Sequence, residues 1–375
     1  MGPLSDIRVV EFAAIGPVPF AGMLLADMGA DMVRIDRVGG DPDPLRNLMA
    51  RGRRSVGLDL KHADGAALAL ELIGSADVVI EGMRPGVLER LGLGPNELLE
   101  RNPRLIVGRM TGWGQRGPYA DQAGHDINYL GVTGGLHAIG AAALPPPPPL
   151  NLIADFGGGA MYLLTGILAA LHERDSSGLG QIVDVAMVDG VSSLLTMFHQ
   201  MLQRQSWTTT RESNLLDGGA PFYRTYACAD GELVSVGALE PQFYAELVSG
   251  LGFDSEDLPP QTDVDAWSSM RERFAARFAE RPRHEWLEAF SGSDACVFPV
   301  HDLASAGRDP HLEDRGTLVA ATDGFEPTAA PQMSRTNPSR ARESGAPGTE
   351  TDEILAELGY TAAQIDPWRL SGIVG

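Results

Sequence analysis

The first 115 residues alternate short apolar, β-branched runs with stretches in which apolar residues recur at helical spacing. This alternation constrains the fold most, because a strand–helix–strand repeat builds a parallel sheet with crossover helices. The runs predict strands at Arg8–Phe12, Ala30–Ile35, Ser55–Asp59, Asp77–Ile80 and Leu105–Met110. The stretches predict helices at Phe20–Met28, Asp64–Ile73 and Asn96–Glu100. We therefore expect an open α/β layer of the Rossmann type.

The pattern changes near residues 215–220, where the alternation gives way to a hairpin with Asp230 and Gly231 at its turn. Helices and a strand at Ala295–Val300 follow, which predicts a second, smaller α+β domain. A segment rich in Pro, Ser, Thr, Gly and Arg then predicts a linker before a last helix. The predicted organisation is a large domain over residues 1–190, a linker over 191–218, a small domain over 219–325, and a linker with a helix returning to the large domain over 326–375.

The formal net charge of −21 makes general binding to nucleic acid or to an anionic membrane unfavourable. The charge is uneven: residues 1–110 hold 13 Lys and Arg against 15 Asp and Glu, so most of the excess lies later in the chain. A site for an anionic ligand is therefore expected in the first third. The basic residues considered for it there are Arg37, Arg51, Arg53, Arg54, Lys61, Arg84 and Arg90; we interpret Arg51 and Arg53 as solvated surface.

Two cysteines, Cys228 and Cys296, exclude a disulfide framework, and no Cys/His cluster has zinc spacing. The start of the chain lacks the apolar stretch of a signal peptide. The longest apolar helix candidate, Ala160–Leu171, is too short to cross a bilayer. These features predict a soluble cytoplasmic protein that binds no membrane.

A nicotinamide dinucleotide is an improbable ligand, although Val9–Asp36 has the outline of a dinucleotide-binding unit. Its first turn reads AAIGPVPFAG and contains no GxGxxG. Pro17 and Pro19 also remove two backbone donors that a pyrophosphate would use.

Eight segments, in one order along nearly the whole chain, resemble the class III CoA-transferase (CaiB/BaiF) family. They are PLSDIRVVEF, LLADMGADMVRIDR, SVGLDLK, EGMRPGVLERLGLG, TGWGQRGPY, AGHDINYL, NLIADFGGG and GQIVDVAMVDG. Within that family the chain is similar to α-methylacyl-CoA racemases. The resemblance implies a large Rossmann-like domain, a smaller domain, and two chains interlocked in a homodimer.

The resemblance also implies racemisation of 2-methylacyl-CoA thioesters through an enolate, with His125 and Asp155 as the two acid–base residues. Such a reaction needs a base on one face of the carbon and an acid on the other, but no metal or organic cofactor. Read alone, His125 is an ordinary loop histidine, and Asp155 is best explained as a helix N-cap.

Three further residues complete the catalytic set that the resemblance implies. Glu240 orients the histidine; it lies in the small domain and His125 in the large one, so an interlocked dimer could supply it from the other chain. Asn151 and Asp126 lie beside the two bases, and the Asp126 backbone N–H is the candidate donor to the enolate oxygen.

Coenzyme A enters as part of the substrate, and the resemblance places its nucleotide in the first domain. In an open α/β sheet, ligands bind beyond the carboxyl ends of the strands. The candidate residues are Arg37, Arg54, Gly57, Leu58, Asp59, Leu60, Lys61, Gly82, Met83, Arg84, Leu88 and Arg90.

Two alternatives stay open. A class III CoA transferase would use Asp155 as a nucleophile that forms an acyl-aspartyl anhydride. Such an enzyme needs no second base, whereas the GHD sequence at Gly124–Asp126 is characteristic of racemases. A catalytically silent CoA-binding protein is disfavoured because both His125 and Asp155 are present.

Overall fold

The computed structural model describes residues 2–40, 49–254 and 257–375. The chain divides into two compact units: the first comprises residues 1–133, 149–194 and 328–375, and the second comprises residues 134–148 and 195–327. The predicted domain limits differ from this division, since residues 134–148 and 195–218 belong to the second unit. Arg211 shows the physical reason, because its guanidinium Nε donates to the Ala141 carbonyl at 3.2 Å and ties the two stretches together.

A six-stranded sheet forms the centre of the first unit. Its strands are β1 Arg8–Phe12, β2 Asp31–Asp36, β3 Arg53–Gly57, β4 Val78–Glu81, β5 Ile106–Thr111 and β6 Ile182–Ala186. Every neighbouring pair is parallel, and the spatial order is β3-β2-β1-β4-β5-β6. This is the Rossmann order, whose direction of winding reverses between β1 and β4. The predicted α/β class is confirmed.

Helices, numbered along the whole chain, cover both faces of this sheet. Those of the first unit are α1 Pro17–Asp27, α2 Ala63–Gly74, α3 Val87–Arg90, α4 Pro95–Arg101, α5 Asp126–Val132, α6 Met161–Ser177, α7 Met187–Leu194, α13 Thr351–Glu357 and α14 Ala362–Leu370. The main apolar core joins β1 and β2, through Phe12 and Val33, to Leu72 of α2 and Ile354 of α13. Helices from both ends of the chain therefore build one core.

The opposite face of the sheet holds buried ion pairs, and the interpretation of Arg51 and Arg53 as solvated surface is wrong. The two arginines are 2% and 3% exposed. Arg53 pairs with Glu11 of β1 at 2.9 Å, and the Arg51 Nε donates to Asp27 of α1 at 3.0 Å. Gly22 of α1 packs directly on the first pair, since a Cβ there would lie 2.3 Å from the Glu11 Oε2. Burial of these cations depends on partners distant in sequence.

Residues Leu152–Ser177 form one continuous helix of 26 residues. In the part of the chain that the structure describes, it is the single helix long and apolar enough to cross a membrane. The prediction of a shorter helix at Ala160–Leu171 was therefore wrong. One face of this helix nevertheless packs on the sheet through Leu163 and Ile167. A Cβ on Gly108 of β5 would lie 2.9 Å from Leu163 and 3.4 Å from Ile167.

The second unit contains an antiparallel sheet of order β7-β8-β9, formed by Tyr223–Ala227, Leu233–Gly237 and Val297–Val300. Its remaining elements are α8 Thr196–Gln203, α9 Pro241–Gly250, α10 Trp267–Phe278, α11 Arg283–Ala289, α12 Pro310–Asp314 and the hairpin β10 Leu318–Ala321 with β11 Gly324–Pro327. Aromatic side chains fill its core, with Tyr226 of β7 stacked on Phe278 of α10 at 5.0 Å between ring centroids.

Candidate active site

Asp155 lies at the carboxyl edge of the first unit's sheet, where the winding reverses. It does not cap a helix, as its sequence context suggested, but lies inside the π-helical segment Leu152–Ala160, whose N-cap position is Asn151. A Cβ on Gly16, in the turn between β1 and α1, would lie 3.1 Å from the Asp155 Oδ2. Gly16 has a φ of 70°, so the chain passes under the carboxylate in a conformation that favours glycine.

The environment of Asp155 favours its protonated form. The side chain is half-buried, and this burial raises the pKa of its carboxyl above the usual value. The charge of Asp126 also raises that pKa, whereas the Asn151 hydrogen bond and the charge of His125 lower it. The Asn151 Nδ2 donates to the Asp155 Oδ2 at 3.2 Å. Asp155 is therefore a carboxyl group suited to carrying a proton closer to neutral pH than an exposed aspartate would.

Two tight contacts hold the π-helical segment in place. Phe156 stacks on Phe20 of α1, with ring centroids 4.4 Å apart. On another side, Gly158 and Gly190 of α7 bring two backbones together, because a Cβ on Gly190 would lie 1.9 Å from the Gly158 carbonyl oxygen. π-Helical turns are rare and occur frequently at functional sites.

His125 lies at the N-cap position of α5, and its side chain is exposed. The Asn128 Oδ1 accepts the backbone N–H of His125 at 3.0 Å, which fixes the start of the helix. The charge of His125 lowers the pKa of Asp155, so the two side chains are close enough to interact electrostatically. The structure thus brings His125, Asp126, Asn151 and Asp155 together.

Tyr129, which the sequence analysis did not single out, belongs to the same cluster. Its hydroxyl donates to the Gly124 carbonyl, and its ring packs edge-on against Trp113 at 4.7 Å between centroids. A Cβ on Gly112 would lie 2.0 Å from the ring, so that glycine is required for the packing. Burial, and then the charge of Asp155, raise the pKa of Tyr129. Its position within the segment AGHDINYL is the sequence feature that could have identified Tyr129 as part of the site.

Most of the predicted coenzyme A residues also lie at the carboxyl edge of the sheet. Arg37 follows β2, Gly57 ends β3 with Leu58, Asp59, Leu60 and Lys61 after it, and Gly82, Met83 and Arg84 follow β4. Arg84 acts electrostatically on Tyr129, which places this loop beside the acid–base cluster. Arg37, Lys61, Arg84 and Arg90 are exposed, whereas Leu88 of α3 is 1% exposed and belongs to the core. Leu88 can therefore only support the loop.

Arg54 lies elsewhere. It is the second residue of β3, near the amino edge of the sheet, and donates to Asp31 and to Glu353, both at 3.1 Å. It also pairs with Glu357 of α13. A guanidinium shared by three carboxylates at the far edge of the sheet does not join the other predicted nucleotide residues.

Glu240 belongs to the second unit, where it is exposed at the N-cap position of α9. The Gln261 amide donates to the carbonyls of Ala238 and Leu239 at 3.3 and 2.9 Å, which fixes the segment immediately before it. The charge of Glu240 acts on Cys296 of the same unit.

A parallel sheet of Rossmann order, with a carboxyl group and a histidine gathered where the winding reverses, defines an α/β protein equipped for acid–base chemistry on a bound ligand. Residues 4–353 match the sequence profile described as CoA-transferase family III. The chain belongs to this family, as its sequence segments predicted.

Two curated relatives and one solved structure are similar over almost the whole chain. The α-methylacyl-CoA racemases of Mus musculus and Homo sapiens are 45% and 44% identical to it; each match covers 96% of this chain and 95% of the relative. A crystal structure of a CaiB/BaiF family protein from Brucella suis is 25% identical, with a TM-score of 0.81, over 95% of this chain and 99% of that one.

Proposed function

We propose that this protein is an α-methylacyl-CoA racemase, which interconverts the (2R) and (2S) forms of 2-methylacyl-CoA thioesters. The observation that carries the proposal is the cluster of His125 and Asp155, two titratable groups of different type: the Asp126 carboxylate binds the backbone of Asp155, and His125 precedes Asp126 directly in the chain. The 45% identity to the mouse racemase supports the same activity.

In the proposed reaction, His125 and Asp155 act from opposite faces of the α-carbon. One of them takes the α-proton, and the electron pair of the broken C–H bond moves into the thioester to give an enolate. The other residue then delivers its own proton to the opposite face. The Asp126 backbone N–H is the proposed donor to the enolate oxygen. Coenzyme A enters as part of the substrate, and the chemistry calls for no further cofactor.

The raised pKa of Asp155 suits this scheme, because one direction of the reaction requires Asp155 to start protonated. In that direction neutral His125 is the base. In the reverse direction ionised Asp155 is the base and the His125 imidazolium is the acid. Both starting states hold one proton on the pair, so the two directions should share one bell-shaped pH profile.

For the coenzyme A part of the substrate, we propose a site along the loops after β2, β3 and β4. Arg37, Lys61, Arg84 and Arg90 would supply positive charge, and the backbone of residues 57–61 and 82–83 would supply polar groups. Arg54 is left out of this proposal, because its ion pairs lie at the other edge of the sheet.

We also propose that the protein acts as a homodimer in which Glu240 of one chain meets His125 of the other. Large apolar side chains are exposed on elements of the first unit that pack on one another, which is typical of a surface covered by a partner. They are Ile127, Val132, Leu152, Met161 and Leu194. The strong negative charge argues against nucleic acid or an anionic membrane as partner, and a cytoplasmic location stays our expectation.

A CoA transferase with Asp155 as nucleophile is the second candidate. Its attack on a thioester would require an ionised aspartate, whereas burial of Asp155 favours the protonated form. The exposed His125 beside Asp155 has no role in that mechanism but is required in the racemase. We therefore favour the racemase.

A proton NMR experiment in heavy water separates the two candidates. A racemase replaces the α-proton of a 2-methylacyl-CoA with deuterium, so that its signal disappears. A transferase leaves the α-proton in place and moves the acyl-CoA bond to a second acid; this result would exclude our proposal. With pure epimers, we expect His125→Ala to lose exchange mainly from the 2S substrate and Asp155→Ala mainly from the 2R substrate.

A further inference from the structure

The Asp126 side chain connects the two segments that carry the proposed bases. Its Oδ2 accepts the backbone N–H groups of Ala154 and Asp155, each at 2.8 Å. Asp126 itself follows His125 directly in α5. One carboxylate thus anchors the backbone of one base to the residue next to the other, although 28 and 29 residues separate the bonded positions.

The second oxygen of this carboxylate makes no hydrogen bond within the described part of the chain. Asp126 is 6% exposed, and its Oδ1 is buried without a hydrogen-bond partner among the described residues. Leaving a buried carboxylate oxygen unpaired costs stability. An asparagine of the same shape could accept the same two N–H groups through its one oxygen, without a buried charge. Folding alone therefore does not explain an aspartate at this position.

We propose that the Asp126 side chain is a positioning group that fixes the distance between His125 and Asp155, so that both address the same α-carbon. This inference rests on the proposed racemisation. Inversion requires both groups to lie within reach of the same α-carbon, whereas exchange of the α-proton on one face requires only one of them. Misplacing a reacting group by about 1 Å can cost about 100-fold in rate.

The charge of the same carboxylate adds to burial, the largest cause, in raising the pKa of Asp155. Two elements packed against the π-helical segment carry titratable groups near Asp155: α5, with His125 at its N-cap, Asp126 and Tyr129, and α7, with Asp189 in its first turn. Asn151, at the N-cap position of the segment, is not titratable but donates a hydrogen bond to Asp155. Asp126 is the charged neighbour that raises the pKa of Asp155. Removing that charge while keeping the side-chain shape should lower the pKa of Asp155 and move the pH profile of racemisation to lower pH.

Two substitutions separate position from charge. Asp126→Ala removes the Asp126 clamp, that is, the two hydrogen bonds from the Ala154 and Asp155 backbone to the Asp126 carboxylate. We expect racemisation to fall by at least about 10-fold and the ratio of racemisation to α-proton exchange to fall for both epimers. Asp126→Asn keeps an acceptor oxygen and removes the charge, so the ratio should be kept while the pH optimum falls. Both rates can be followed by NMR with pure epimers in heavy water.

Asp121 provides the matched control, because it is an exposed aspartate in the preceding loop. Asp121→Ala and Asp121→Asn should retain the wild-type ratio and pH profile. The inference is overturned if Asp126→Ala lowers racemisation and exchange in equal proportion. If that variant does not fold, Asp126→Glu decides, because it keeps the charge but moves the accepting oxygens: a reduced ratio of racemisation to exchange supports the inference, and a wild-type ratio overturns it. Absence of α-proton exchange in the wild type would instead refute the proposed racemase itself.

Discussion

At the scale of single residues, the site places a carboxyl group where ionisation is unfavourable. Asp155 is half-buried, and both its burial and the neighbouring Asp126 charge raise its pKa. A group whose pKa is raised on folding makes the native state bind more protons than the unfolded chain. Stability is therefore lost as the pH rises from the ordinary aspartate range through the raised pKa. The feature suited to catalysis works against folding.

Because the pKa of Asp155 is raised, a prediction follows for Asp155→Asn. The variant should have a higher free energy of unfolding than the wild type at pH 7 to 8, because it has no carboxylate to ionise in the site. The difference should shrink on acidification and vanish below the ordinary aspartate pKa of about 3.9. Urea titrations at several pH values measure it. A variant less stable than the wild type at pH 7 would show that the site stabilises the ionised carboxylate.

At the scale of elements, the position of Asp155 depends on the close approach of two backbones. Gly158 in the π-helical segment and Gly190 in α7 make that approach, which leaves no room for a side chain. The same segment continues without a break into α6, whose apolar face packs on β5. The orientation of Asp155 is thus tied to the core of the first unit.

Gly190→Ala tests this dependence. Its Cβ would lie 1.9 Å from the Gly158 carbonyl oxygen, so the two elements must separate. We expect a loss of about 1–3 kcal/mol in unfolding free energy, and a fall in kcat larger than any change in KM. Gly74→Ala is the control: Gly74 ends α2 with open space around it and should be neutral or up to about 1 kcal/mol more stable. Equal effects of the two substitutions would show that the contact does not position Asp155.

The elements also show what the sequence can and cannot predict. The first five strands of the parallel sheet were predicted to within two residues, because apolar runs separated by amphipathic stretches specify a βαβ layer locally. The π-helical segment and α14 were missed: the first rests on contacts with α1 and α7, and the second contains Pro367.

Buried charges and contacts within the site are also hard to predict from sequence where they depend on residues distant in the chain. The Glu11–Arg53 pair joins residues 42 positions apart, and burial of an arginine cannot be predicted without its partner. His125 and Asp155 were found through their motifs. The Asp126 clamp could not be found in this way, because it links positions in different motifs.

At the scale of the whole molecule, the two edges of the parallel sheet have different roles. The carboxyl edge carries the acid–base cluster and the loops proposed for coenzyme A. The amino edge carries an ion-pair network in which Arg54 contacts Asp31 and α13, which lies more than 290 residues later in the chain. The proposed substrate contacts and the ion pairs that join β3 to α13 thus lie at opposite edges of the sheet.

This separation predicts opposite effects for two arginines. Arg37→Ala should raise KM for the acyl-CoA and leave kcat near wild type, because nucleotide contacts are equal in the ground and transition states. Arg54→Ala should leave KM unchanged and lower the unfolding free energy by about 1 kcal/mol per lost pair or less, with the loss reduced at high salt. Steady-state kinetics and urea unfolding on both variants measure this. A rise in KM for Arg54→Ala alone would place the nucleotide at the other edge.

Assembly allows a last prediction, based on the proposed homodimer. If Glu240 of one chain orients His125 of the other, His125→Ala and Glu240→Ala should each have low activity as homodimers. After the two variants are mixed, unfolded and refolded together, about half of the dimers should be heterodimers, and each heterodimer should hold one site with both residues intact. Activity should then recover to about a quarter of the wild-type value, because one of two sites works in half of the dimers.

Asp155→Ala mixed with His125→Ala is the control: both residues lie in the first unit, so each site of the heterodimer keeps one defect and no activity should return. Heterodimers of the first pair that form, as shown by differently tagged chains, but stay inactive would place the complete site within a single chain.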